Sequence, residues 1–214
     1  MRTVRWLATA FAFAALTPAV ASAQEGRLFK DAWFWGAKAG VMSFSNGFDR
    51  SQAPLVGVEW MITRTKGGLY IAGEQLFFDE STALVDDNGN GFTVTMKNMK
   101  RVTAAAVAFP VSFGTLRPYA GLGLAVNFIS RASVMEPFQD QTQQDAIWDQ
   151  IDEGRDQATF LLLAGVQAQY RRFSIFGQAS MQPRSSGFLL GEKAAYVIEG
   201  GIRLNLGSSR DRGI

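Results

Sequence analysis

Period-two alternation of apolar and polar residues recurs along this chain, and no other property narrows its folding options as much. In DAWFWGAKAGVMSF, Trp33, Trp35, Ala37, Ala39 and Val41 share one face, and Gly36, Lys38, Gly40 and Met42 share the other. APLVGVEWMIT sets Val56, Val58, Trp60 and Ile62 against Glu59, and GGLYIAGEQLFFDE sets Leu69, Ile71, Gly73 and Phe77 against Tyr70, Ala72 and Glu74. RPYAGLGLAVNFISR places Ala120, Leu122, Leu124, Val126 and Phe128 opposite Tyr119, Gly121, Gly123, Asn127 and Arg131. The same pattern returns in ATFLLLAGVQAQYRR, more weakly in FSIFGQASMQ, and again in AAYVIEGGIRLNLG. A further strand lies within FTVTMKNMKRVTAAAVAFPVSF, and its phase stays open. With Arg101 and Thr103 inward, Val102, Ala104, Ala106 and Ala108 face out, and Pro110 marks a bulge or an end. Eight such segments predict eight half-exposed antiparallel strands.

The two faces are not those of a soluble barrel. One face is continuously apolar for about 9–11 residues, the length of a tilted strand that crosses a bilayer. The other carries Gly, Ala and isolated charges, which suit a narrow lumen. The connections alternate as well. Moderate or long stretches (45–53, the one with DDNGNG, about 132–157, PRSSGFLLGEK) take turns with the short RTKGG, FGTLR and RRF. The acidic residues gather in the long stretches, and Arg64, Lys66, Arg117, Arg171 and Arg172 gather in the short ones. Trp33, Trp35, Trp60 and Tyr119 fall near the short-turn end, while Phe77, Phe128 and Tyr196 fall near the other, as in two aromatic girdles. This predicts an all-β, eight-stranded, antiparallel up-and-down transmembrane barrel with short periplasmic turns and longer extracellular loops.

The N-terminus reads as an export signal. Arg2 and Arg5 precede the apolar WLATAFAFAALTPAV, and Ala21-Ser22-Ala23 sets a cut ahead of Gln24. Residues 1–23 are thus expected to be removed, leaving 24–214 as one barrel domain with strands over about 31–207 and a short C-terminal tail. Loss of Arg2 and Arg5 leaves 19 basic residues against 19 acidic ones, so charge gives no support to nucleic-acid binding. The chain has no Cys and no His. That excludes disulfides, thiolate metal sites and the commonest general base. No cofactor or metal is expected.

DDNGNG opens like a helix–loop–helix calcium loop, with Asp86, Asn88, Asn90 and Gly91 in register. The twelfth position from Asp86 is Lys97, where such a loop needs a carboxylate, and the flanks are strands. Asn-Gly and Gly-Asn-Gly instead supply the positive φ angles of a tight turn. Asp86 and Asp87 retain, at most, weak binding of divalent cations at the surface.

The chain resembles the eight-stranded outer-membrane β-barrel family, the porin-like group that holds the OmpA transmembrane domain and OmpX-like proteins. EGGIRLNL, with Glu199, Gly201, Leu204 and Leu206, is similar to the C-terminal signal read by the barrel-assembly machinery, and RPYAGLGLAVNF is similar to a strand common in the family. The resemblance implies a bacterial outer-membrane location in the cell envelope, contact with outer-membrane lipid, and the assembly machinery as a partner during biogenesis. It also implies that the enzymes among such barrels use catalytic sets containing His, which this chain lacks. The expected role is therefore structural or surface-interacting and not enzymatic, with 132–157 offered to a surface partner. A small pore, a carrier of hydrophobic ligands, and a soluble exported lipocalin-like barrel are the alternatives.

No catalytic site is expected. Counting along alternating strands, Lys38, Glu59, Glu74, Arg101 and Glu199 fall near mid-height, with Arg203 a little lower. If the barrel closes, Lys38 approaches Glu199, and Glu74 approaches Arg101. The expectation is a salt-bridged lumenal plug of three positive and three negative charges. In 132–157, the apolar Ala146, Ile147, Trp148 and Ile151 are spaced for one or two helical turns over the barrel mouth; the other reading is disorder.

Overall fold

The computed structural model describes residues 29–45, 49–85, 89–135, 137–138, 141–183, 190 and 193–208. The proposed export segment, Asp86, Asp87 and the tail beyond Ser208 lie outside them. Eight strands are present: β1 (Ala32–Ser45), β2 (Arg50–Thr63), β3 (Gly67–Val85), β4 (Gly91–Ala108), β5 (Leu116–Val134), β6 (Asp156–Tyr170), β7 (Phe173–Gln182) and β8 (Ala195–Ser208). One helix, α1 (Gln141–Arg155), lies between β5 and β6. Each strand pairs with its neighbour in sequence, and β8 pairs antiparallel with β1, so the sheet closes in up-and-down order.

Closure leaves no free sheet edge around the body of the wall, while β3 above Leu76 and β5 above Phe128 run on past β2 and β6. The strands begin and end the chain at one end of the barrel, called lower here, where 64–66, 109–115 and 171–172 form the turns. Two of the upper connections are shortened by continued strand pairing. β1 and β2 stay paired up to Ser45 and Arg50, and β3 and β4 up to Val85 and Gly91. Polar side chains support this extension: Ser81 lies 3.0 Å from Thr95, and Lys97 pairs with Asp79 at 2.6 Å. DDNGNG joins β3 to β4, and Gly89 takes a φ of 85° there.

The outer wall carries the apolar stripe. Leu122, Phe160, Ile175 and Ile198 are each at least two-thirds exposed, and Val58, Val102, Leu124 and Leu162 about half. Trp35 stacks on Trp60 at 6.1 Å, and Trp33 meets Trp60 edge-on at 5.7 Å, forming an aromatic patch on the lower outer wall. Tyr119 does not join it. It faces the lumen, where its ring lies 5.6 Å from Phe109, because its position on β5 has inward parity.

The lumen is filled by side chains and is less spare than Gly, Ala and lone charges imply. An upper apolar cluster holds Met42, Phe44, Leu55, Leu76, Met96, Met99 and Ile129. A lower one holds Phe34, Met61, Tyr70, Val107, Phe109, Tyr119 and Leu163. An eight-stranded barrel has an interior just wide enough for side chains to fill, which is why large residues are accommodated inward. The helix α1 sets Ile147 and Ile151 into the upper cluster, both without exposed surface, with Trp148 packed alongside. Their i, i+4 spacing puts both on one helical face, and that face covers the mouth.

Candidate functional site

Between the two apolar clusters lies a belt of buried charge. Lys38, Glu59, Glu74, Arg101, Glu199 and Arg203 all point inward and are each at most 5% exposed. Strand register explains how they meet. Glu74 and Arg101 are cross-strand partners on β3 and β4, and their side chains are ion-paired. Lys38 on β1 also reaches Glu74, although β2 lies between them. The β2 residue level with both is Gly57, which has no side chain to bar the way. A Cβ at Gly57 would stand 2.8 Å from Glu74 Cγ and 2.7 Å from the Gly73 carbonyl oxygen.

The same device repeats one level lower. Arg203 on β8 pairs with Glu59 on β2 across β1, where Gly36 is level with both. Lys38 further contacts Glu199 at 2.9 Å across the closing seam of β1 and β8. Height counting along the strands points to the neighbours Lys38–Glu199 and Glu74–Arg101. It misses the two pairs that skip a strand.

Neutral groups join the two levels into one network. Lys38 Nζ donates to Tyr70 Oη at 2.6 Å, and Gln178 Nε2 donates to the same oxygen at 3.0 Å and to Glu199. Tyr119 Oη donates to Gln178 Oε1 at 2.7 Å and accepts from Arg203 Nη2 at 3.3 Å. Arg203 Nη1 donates to Gln167 Oε1 at 2.6 Å, and its guanidinium lies 3.7 Å above the Phe176 ring. Sequence reasoning missed Tyr70, Tyr119, Gln167 and Gln178. Their inward parity at the height of the charges was the available signal.

Neither a family model nor a curated protein matches the sequence. Among solved structures, neisserial surface protein A superimposes with a TM-score of 0.54 at 12% identity, over 81% of this chain and 97% of that one. The fold is that of the eight-stranded outer-membrane β-barrels. Ail, the attachment invasion locus protein of Yersinia pestis, aligns with a TM-score of 0.45 at 12% identity, over 82% of this chain and 97% of Ail. Its complex with the heparin analogue sucrose octasulfate gives 0.42 at 11%, over 81% and 99%.

Within this outer-membrane-type barrel, the belt suits closure. Three cations and three anions balance. Each carboxylate has a cationic partner, and each cation has a carboxylate. Desolvating such ions costs several kcal/mol apiece, and only this density of pairing and hydrogen bonding offsets it. Among the described residues no three His, Cys, Asp or Glu side chains converge to hold a metal ion. The belt links side chains of β1, β2, β3, β4 and β8 at the middle of the lumen.

Proposed function

We propose that this protein is an exported component of the bacterial outer membrane with a non-catalytic, structural and surface-interacting role, and that its lumen is plugged by the charged belt. One observation carries the reading. The closed barrel carries a stripe of large apolar residues around its outer wall and buries its six belt charges inside, an arrangement that makes sense only if the outer wall meets lipid. Exposed apolar area on this scale in water would drive aggregation, which weighs against a soluble lipocalin-like barrel. The side chains that fill the lumen weigh against an open pore.

The proposal includes three partners. Lipid contacts the apolar wall between the Trp33–Trp35–Trp60 patch and the level of Phe128. The β8 segment EGGIRLNL serves the assembly machinery, and α1 with its flanks is the part presented to a surface partner. Fractionation together with heat-modifiable migration in SDS gels tests the class: a band that shifts on boiling, found in the outer membrane, supports it. A protein that stays soluble without detergent would sink the reading. In planar bilayers the unmodified protein is expected to be silent, and a large, steady conductance would refute the plug.

A further inference from the structure

The upper wall carries a group of cations that the belt does not use. At the irregularity around Asn98 the alternation of β4 and β5 changes phase, so that Met96 and Ala132 turn toward the upper apolar cluster. Lys97 and Arg131, cross-strand partners beside them, are exposed on the outer face, although Arg131 shares the spacing of the inward Asn127. Lys100 also faces out, level with Phe128.

Two adjoining hollows of about 440 and 450 Å³ lie here, and they share Ser130 and Arg155. The lower one is balanced, because Asp152 and Asp156 line it beside Lys100 and Arg155. The upper one is not. It is lined by Lys97, Arg131 and Arg155 and by no carboxylate. Lys97 pairs with Asp79, and Arg155 with Asp152, but both pairs are exposed and open to exchange. Arg131 forms no ion pair among the described residues. The rest of the lining suits a sugar: Thr95, Ser130 and Ser133 present hydroxyls, and Trp148 presents an aromatic surface. β5 runs on past β6 here, so alternate backbone groups of 130–133 lack a strand partner on that side. Arg155 is held against this edge by Nη2, which donates to the Ile129 carbonyl oxygen at 3.3 Å.

Height selects among anions. Arg131 stands three residues above Phe128 on β5, about 10 Å of strand, and less in height because the strands of such barrels tilt. Phe128 marks the top of the apolar wall, and the polar layer of a bilayer is roughly 5–8 Å deep on each side. An anion in the upper hollow is thus within reach of a lipid whose acyl chains lie along Val102 and Leu124. We propose that this hollow binds the phosphorylated saccharide headgroup of an outer-leaflet lipid. Lys97, Arg131 and Arg155 hold the phosphate, the hydroxyls meet the sugar, and the acyl chains continue down the wall of β4 and β5. The site rests on the assignment of the outer wall to lipid made above.

The test uses the full-length protein, folded in detergent and checked by heat-modifiable migration. Lipid A, a diphosphorylated disaccharide lipid, is titrated into the micelles, and bound lipid is counted by mass spectrometry of the intact complex. A bound lipid is expected, and the dephosphorylated form should bind far more weakly. Lys97→Gln with Arg131→Gln should weaken binding by about tenfold. Arg50→Gln with Lys193→Gln removes the same charge from the upper rim outside the hollow and should leave binding unchanged. All four side chains are exposed, so both double variants should fold. Inorganic pyrophosphate at the concentration of the lipid should not displace it, since it has no acyl chains to lay on the wall. Equal loss in the two double variants, no preference for the phosphorylated lipid, or displacement by pyrophosphate overturns the inference. A heat-modifiable barrel that gives any of these results still keeps its wall in lipid, whereas a chain that stays soluble without detergent fails at that earlier step.

Discussion

Arg203 meets Glu59 across a strand that supplies neither of them. The intervening position on β1 is Gly36, and the pair passes over it; Gly57 on β2 does the same for Lys38 and Glu74. These two glycines set which charges can pair, without bearing any charge themselves.

A methyl group at Gly57 is therefore expected to be costly out of proportion to its size. Its Cβ would press on the Gly73 carbonyl, which belongs to the wall and cannot swing away as a side chain would. Gly57→Ala should lower stability by about 2 kcal/mol, read as a lower urea midpoint for the folded barrel in detergent. An unchanged midpoint would mean that the gap is incidental.

Glu74 and Arg101 are partners but not equals. Glu74 serves both Lys38 and Arg101, whereas Lys38 keeps Glu199 when Glu74 is lost, and Arg101 keeps no carboxylate. Arg101→Ala should destabilise by about 3 kcal/mol, and Glu74→Ala by more than that. The double variant leaves two cations and two anions paired and should be milder than either single change. A double-mutant cycle without coupling would contradict this ordering.

The seat of α1 can be broken without touching the barrel wall. Ile147→Asp with Ile151→Asp places two carboxylates in the upper apolar cluster, which cannot satisfy them. Trypsin should then cut at Arg155 much faster while the wall persists as a heat-modifiable band. On intact cells, protease should cut within 132–157 before it reaches Arg64 or Arg171. The reverse order would turn the barrel over in its membrane.

The Trp patch should report lipid directly. Trp33 and Trp35 lie on the outer wall, whereas Trp148, on α1, packs against the upper cluster. In vesicles with brominated acyl chains, a variant keeping only Trp33 and Trp35 should be quenched. A variant keeping only Trp148 should not. Equal quenching would remove the assignment of the outer wall to lipid.

Much of this architecture was legible because a period of two is hard to counterfeit over eight segments. The exceptions have particular causes. The phase of β4 was unreadable because Asn98 adopts a φ of 59° at a register shift between β3 and β4, so Met96 and Met99 both face inward despite their odd spacing. Asn tolerates that backbone region, and nothing in the local pattern announces its use. The apolar filling of the lumen escaped notice because Phe34, Leu55 and Met61 sit on the face that also bears Lys38 and Glu59. Tyr119 was placed by height alone, which ignores parity. The link between Arg203 and Glu59 depends on an absent side chain in a third strand, and pairwise counting does not search for one.

The belt has a consequence for how the barrel comes together. A one-residue slip at the last junction would turn a whole face inside out, but a two-residue slip preserves the alternation and would go unnoticed by the apolar pattern. It would not go unnoticed by the charges. Sliding β8 by two residues against β1, in either direction, moves Arg203 by about 7 Å along the wall, off the level of Gly36 where it meets Glu59. Arg203 would lose its only carboxylate and Glu59 its only cation, both inside the wall. The final joint of the cylinder thus carries its own proofreading, written in one ion pair.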